Sequence, residues 1–141
     1  MGFPIIAALD VGSRRIGVAV SDDAGVLAHP LCTLDKHSLD ADFSALRRSF
    51  GSRNIACIIV GLPVNMDGTE GPMVRHVRNF AAKLAGALQI PVEFQDERLS
   101  SFEAKQRLAG STKRGGRKGA VDAVAAAVIL ETWLESNRHS R

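Results

Sequence analysis

Along its first sixty residues the chain sets short, nearly continuous apolar runs between turn residues. "PIIAALDVG", residues 4–12, is apolar almost throughout, the pattern of a strand covered on both faces. Gly12 punctuates it, and "IGVAVSD", residues 16–22, follows closely enough to form an antiparallel hairpin. A third strand is expected from Leu27 to Leu34, roughened by Pro30. "DADFSALRRSFG" then changes to helical spacing: Asp40 is the expected N-cap, Phe43, Leu46 and Phe50 share a face, and Gly51 is a stop signal.

"IACIIVGLP", residues 55–63, reads as another buried strand, and a turn-rich loop leads to Pro72 at the first position of a helix. That helix, 72–88, is expected to bury Val74, Val77, Ala81, Leu84 and Leu88 and to turn Arg75, Asn79 and Lys83 away. "PVEFQDE" reads as a short strand, "SSFEAKQRLAG" as a short helix, and a last helix runs from about Gly119 to Ser136. The order β-β-β-α-β-α-β-α-α predicts an α/β fold. Three antiparallel strands precede alternating strands and helices, giving a mixed five-stranded sheet with helices on both faces.

The 141 residues suit one compact domain, 1–141. Cys32 and Cys57 stand far apart with no CxxC pair, which argues against a zinc site or disulfide framework and fits a reducing cytosol. No signal-peptide pattern and no apolar run of membrane-spanning length is present. The expectation is a cytoplasmic, soluble protein. Net charge is only +3, yet "KQRLAGSTKRGGRK", residues 105–118, holds six Lys or Arg and no acid. Such a segment is either a solvated basic loop or a contact for an anionic partner, nucleic acid being the commonest.

Three acidic places resist explanation as turns or solvated faces. Asp10 ends a buried strand, where an isolated charge is costly unless it is paired or coordinates a metal, and Arg14 or Arg15 is a possible ion partner. Asp96 and Glu97 close "VEFQDE" before Arg98; neighbouring strand residues face opposite ways, so one of the two shares a face with Asp10. Asp122 heads a helical stripe with Ala125, Ala126, Ile129 and Trp133, although an acid in a first turn also serves the helix dipole. Acids widely separated in sequence suit convergence on Mg²⁺ or Mn²⁺, which favour oxygen ligands. Two such ions would activate water and stabilise the leaving oxygen of a phosphodiester. The four histidines show no metal-ligand spacing, Ser100–Ser101 lack a nucleophile elbow, and Trp133 reads as core.

"LDVGSRRIGVAVSD", "IVGLPVNMDGTEGPMVRHVRNFAAKL", "DERLSSFEA" and "KGAVDAVAAAVILETWL" together resemble the YqgF family end to end. The family consists of small bacterial members of the RNase H-like superfamily, described as pre-16S rRNA nucleases and, earlier, as Holliday junction resolvases. The resemblance implies an RNase H-like fold and a metal-dependent hydrolase that cuts nucleic-acid phosphodiesters, leaving a 3′-hydroxyl. The family's DxG aspartate matches Asp10, its DER glutamate matches Glu97, and its C-terminal helix aspartate matches Asp122. It implies that these three hold one or two Mg²⁺ or Mn²⁺ ions, and it selects Glu97 over Asp96. Lys113, Arg114, Arg117 and Lys118 are the expected phosphate contacts. Arg14, Arg15 and Arg98 flank the acids and serve either that role or as their ion partners. The expected partner is precursor rRNA in ribosome biogenesis, or branched DNA in recombination and repair, with the protein a monomer or homodimer.

Two further classes compete. A nucleotide-binding, sugar-kinase-like protein would share the superfold, but Gly12 and Gly17 bracket a GxxxxG spacing with Val18 where a phosphate loop requires Lys. The chain is also too short for two lobes, so no nucleotide cofactor is expected. A catalytically silent nucleic-acid-binding module is the other; three carboxylates count against it, since they repel phosphates unless metal intervenes.

Overall fold

The computed structural model describes residues 4–99 and 118–137. Its elements are β1 (Ile5–Val11), β2 (Arg15–Ser21), β3 (Ala28–Asp35), α1 (Leu39–Phe50), β4 (Ile55–Leu62), α2 (Pro72–Leu88), β5 (Val92–Asp96) and α3 (Lys118–Ser136). The strands form one mixed five-stranded sheet in the order β3-β2-β1-β4-β5. The β1–β2 and β2–β3 pairs are antiparallel, whereas β1–β4 and β4–β5 are parallel. This is the RNase H-like arrangement expected from the motifs. The short helix expected within 100–110 lies outside the described residues.

Alternation along each strand divides the core. Ala7, Leu9 and Val11 of β1, Ile16, Val18 and Val20 of β2, and Ile58, Val60 and Leu62 of β4 pack beneath α1 and α2. Ile6 and Ala8 of β1, Ala19 of β2, and Cys57 and Ile59 of β4 face α3 instead. Both sheet faces are covered, which is why these strands read as unbroken apolar runs. The α3 face of the sheet is built from smaller side chains, and α3 answers with Ala123, Ala126 and Ala127. Small residues on both sides let a helix approach a sheet closely, and that closeness sets the position of Asp122.

Three local expectations are corrected. Ser38, not Asp40, caps α1: its Oγ accepts the Ala41 N–H at 3.2 Å, and Asp40 sits in the first turn, where an acid still complements the helix dipole. Strand β5 stops at Asp96, and Glu97–Leu99 form a 3₁₀ turn. The deepest stripe of α3 is Ala123, Ala126, Ala127, Leu130 and Leu134, one position over from the Asp122, Ala125, Ala126, Ile129, Trp133 line. Asp122 and Trp133 consequently lie along the edge of the buried stripe, and Trp133 packs against the core from there. The α2 pattern is as expected, with Phe80 added to its buried face.

Candidate active site

Because β1, β4 and β5 run parallel, their C-terminal ends share one edge of the sheet, the position where sites gather in α/β folds. Asp10 stands at the end of β1, and the 3₁₀ turn that follows β5 carries Glu97 to the same edge. Alternation places Asp10 on the α3 face, in line with Ile6 and Ala8. Its neighbours leave it room. In the antiparallel register Asp10 lies opposite Gly17, and one step past the Leu9–Val60 pair in the parallel register it neighbours Gly61.

Those two glycines have no surrogates. A Cβ on Gly17 would collide with the backbone carbonyl of Asp122, and a Cβ on Gly61 would stand 2.7 Å from Glu97 Oε1 and 2.5 Å from Ile129 Cδ1. Gly17 therefore admits the α3 backbone at Asp122 onto the sheet beside Asp10, and Gly61 admits the Glu97 side chain from the other side. Sequence reasoning read Gly17 only as half of a failed phosphate loop and gave Gly61 no part. A glycine inside an otherwise apolar strand, the signal of close approach by another group, would have found both.

Asp10 and Glu97 hydrogen bond to each other through their side chains. Burial raises the Asp10 carboxyl above its usual range, and the charge of nearby Asp122 adds to the effect. Glu97 is pushed up to about 7, first by burial and then by the Asp10 charge and hydrogen bond. The Glu97 carboxyl therefore holds the shared proton and donates it toward Asp10. Asp96 has no part in this pair. Its carboxylate is forked by Arg98, with Nη2–Oδ2 at 2.7 Å and Nε–Oδ1 at 3.1 Å, and it is held below the usual carboxylate range mainly by that contact. Geometry thus separates two adjacent acids that alternation alone left ambiguous.

Asp122 reaches the same neighbourhood from α3 but is engaged: Arg15 Nε donates to its Oδ2 at 2.7 Å. Arg15 pairs with Asp122 rather than with Asp10. Arg98 also donates from Nη1 to the Met66 carbonyl at 3.3 Å, tying the loop before α2 to the Glu97 turn. Arg14 is exposed at the tip of the β1–β2 turn. Lys113, Arg114 and Arg117 lie outside the described residues, and Lys118 opens α3.

Among the described residues no three His, Cys, Asp or Glu side chains converge tightly enough to hold one ion. The donor set nevertheless fits a hard divalent cation. Two half-buried carboxyls share a proton only because their charges would otherwise repel, and a third carboxylate, close enough for Asp10 to feel its charge, is neutralised by a guanidinium. A cation at the Asp10–Glu97 pair would replace that proton, with Asp122 adjacent.

Residues 4–136 match the RuvX family, described as Holliday junction resolvase. A relative from Trichormus variabilis, under the provisional name pre-16S rRNA nuclease, is 43% identical over 131 residues, covering 92% of this chain and 87% of its own. A relative from an Anaeromyxobacter species with the same name is 46% identical over 134 residues, covering 94% and 96%. Among solved structures, Thermus thermophilus RuvC in complex with a Holliday junction substrate superposes with a TM-score of 0.57 at 14% identity, covering 96% of each chain. The fowlpox virus Holliday junction resolvase superposes with a TM-score of 0.54 at 11% identity, covering 94% of this chain and 99% of that one. These two structures share the fold. With an RNase H-like sheet, carboxylates gathered at its parallel edge and a family match along nearly its whole length, the chain belongs to the RuvX family and is a nucleic-acid-cleaving hydrolase.

Proposed function

We propose that the protein is a divalent-metal-dependent endonuclease that matures the 5′ end of precursor 16S rRNA. The observation that carries the chemistry is the proton-sharing pair Asp10–Glu97 at the sheet edge with Asp122 beside it. The relatives' name carries the substrate. Asp10, Glu97 and Asp122 are the residues proposed to hold Mg²⁺ or Mn²⁺. When bound, such an ion supplies Lewis acidity toward a phosphodiester and a nucleophile at neutral pH.

The chain's own groups prepare that chemistry. Glu97 releases its proton to make room for a cation, and its pKa near neutrality keeps the release inexpensive. Gly17 and Gly61 keep Cβ atoms out of the space around Asp10. Arg15 engages Asp122 until a cation recruits that carboxylate, and presents a guanidinium where a phosphate would pass. Lys113, Arg114, Arg117 and Lys118, with Arg14, are proposed as backbone contacts, and cleavage of rRNA places the work in the cytoplasm. Arg98, forked to Asp96 and bonded to Met66, supports the Glu97 turn from outside.

The family description favours a second reading, resolution of four-way DNA junctions. That activity requires two active sites related by symmetry, hence a homodimer. One assay separates the readings: wild type and Asp10→Asn, with Mg²⁺ or Mn²⁺, on a precursor 16S rRNA 5′ end and on a synthetic four-way junction. RNA cleavage lost in the variant supports rRNA maturation. Symmetric nicking of the junction alone supports the resolvase. A fully active Asp10→Asn protein would overturn the assignment of the site.

A further inference from the structure

A cleft of about 470 Å³ opens on the opposite side of the β1–β2 turn from the carboxylates, between the start of α1 and the flank of α2. Lys36, His37, His76, Asn79 and Lys83 line it, with the buried acid Asp42 at its base. His76, Asn79, Phe80 and Lys83 follow one another at helical spacing, so one face of α2 forms a wall. None of these residues belongs to the acid site.

Lys36 is half-buried and held by contacts from two sides. Its ammonium donates to the Gly12 carbonyl at 3.2 Å and to His76 Nε2 at 2.9 Å, and it lies 5.7 Å from the centre of the Phe80 ring. The three partners are a carbonyl, an imidazole and a ring face, none of them a carboxylate, so the cation is positioned without an ion pair. Among the described residues neither Lys36 nor Lys83 is ion-paired. The Asp42 carboxylate at the base of the cleft accepts the His37 backbone N–H at 2.9 Å and forms no ion pair with either lysine. Two lysines thus face an open cleft whose one lining carboxylate, Asp42, is ion-paired with neither of them. Half-buried Lys36 and exposed Lys83 therefore present their charge to the cleft, a local field that attracts an anion.

The contact with Gly12 supplies the connection to function. Gly12 is two residues past Asp10, so the same turn that ends at the carboxylates carries the Lys36 ammonium on its other side. Exposed Arg14 crowns that turn. We propose that the cleft of Lys36, His76 and Lys83 is a second phosphate subsite, holding the backbone of the nucleic-acid strand a short distance from the phosphodiester at Asp10. This rests on the nuclease reading of the acid site. The cleft fixes the register of the strand, as phosphate contacts do, and reads no sequence.

The test is binding of a single-stranded RNA to wild type, Lys36→Ala and Lys83→Ala across a salt series, in Ca²⁺ to suppress turnover, with inorganic phosphate titrated in parallel. Each substitution should weaken RNA binding about three- to tenfold at low salt and reduce the slope of log affinity against log salt by about 0.7. Mn²⁺ affinity and the melting temperature of Lys83→Ala should be unchanged, which separates the effect from misfolding. Unchanged RNA affinity and slope in both variants would overturn the proposal. Inorganic phosphate binding that is lost in Lys36→Ala while RNA binding is retained would also overturn it, and would make the cleft a small-anion site. If Asp10→Asn still cleaves but the lysine variants lose RNA affinity, the assignment of the acid site fails while the cleft stands.

Discussion

Arg15 Nε donates to Asp122 Oδ2 at 2.7 Å, a contact that joins β2 to α3 across 107 positions of sequence. With side-chain exposures of 36% and 27%, the pair contributes at most about 1 kcal/mol to stability. Its larger consequence is for the site, because it occupies the carboxylate that a cation at Asp10–Glu97 would recruit.

Replacing Arg15 with Gln should therefore tighten Mn²⁺ binding severalfold in the absence of nucleic acid and weaken affinity for RNA. Calorimetric titration with Mn²⁺ and a filter-binding series measure the two effects. Loss of affinity for both ligands would show that Arg15 positions Asp122 productively instead of competing for it.

Gly17 and Gly61 respond differently to a single methyl. Gly17→Ala forces the backbone of α3 away from the sheet, and backbone yields poorly, so a loss of about 2–3 kcal/mol is expected in urea unfolding. Gly61→Ala meets side-chain atoms of Ile129 and Glu97, which can rotate. It should cost about 1 kcal/mol or less yet reduce cleavage at least tenfold by displacing Glu97. A fully active Gly61→Ala enzyme would separate Glu97 from the chemistry.

Stability of the metal-free protein should fall as pH rises from about 4.5 to 7.5. Glu97 has a folded pKa of about 7 against roughly 4.3 in an unfolded chain. Between those values the folded state binds more protons, so raising pH favours unfolding. Allowing for its partial exposure, the contribution is about 1–2 kcal/mol, a few degrees in melting temperature. Glu97→Gln should flatten the slope in this window, and saturating Mg²⁺ should reverse it, since the cation competes with the proton. A slope identical in wild type and Glu97→Gln would assign the titration to other groups.

Asp10→Asn should abolish cleavage and leave the metal-free fold as stable as wild type or more so, because it removes one of the clustered charges. Thermal melts with and without Mg²⁺ test this. Stabilisation by Mg²⁺ should appear in wild type and vanish in the variant.

The sequence by itself determined most of the scaffold. Unbroken apolar runs such as Ile5–Leu9 and Ile55–Val60 exist because both faces of those strands are covered, so periodicity located β1, β2, β4 and α2 closely. It also isolated Asp10 and Asp122 as carboxylates out of place, since apolar surroundings make a charge conspicuous. The Ser38 cap and the end of β5 depend on backbone dihedrals over one or two residues, and neighbouring residue types carry little information about them. Only the tertiary structure chose Glu97 on physical grounds, because a 3₁₀ turn, not strand alternation, aims it. Only the structure assigned Arg15 to Asp122 and Arg98 to Asp96, and revealed Lys36 held against Gly12. Ion pairs and clefts are distances between segments remote in sequence, and a one-dimensional pattern records which residues are buried, not which ones meet.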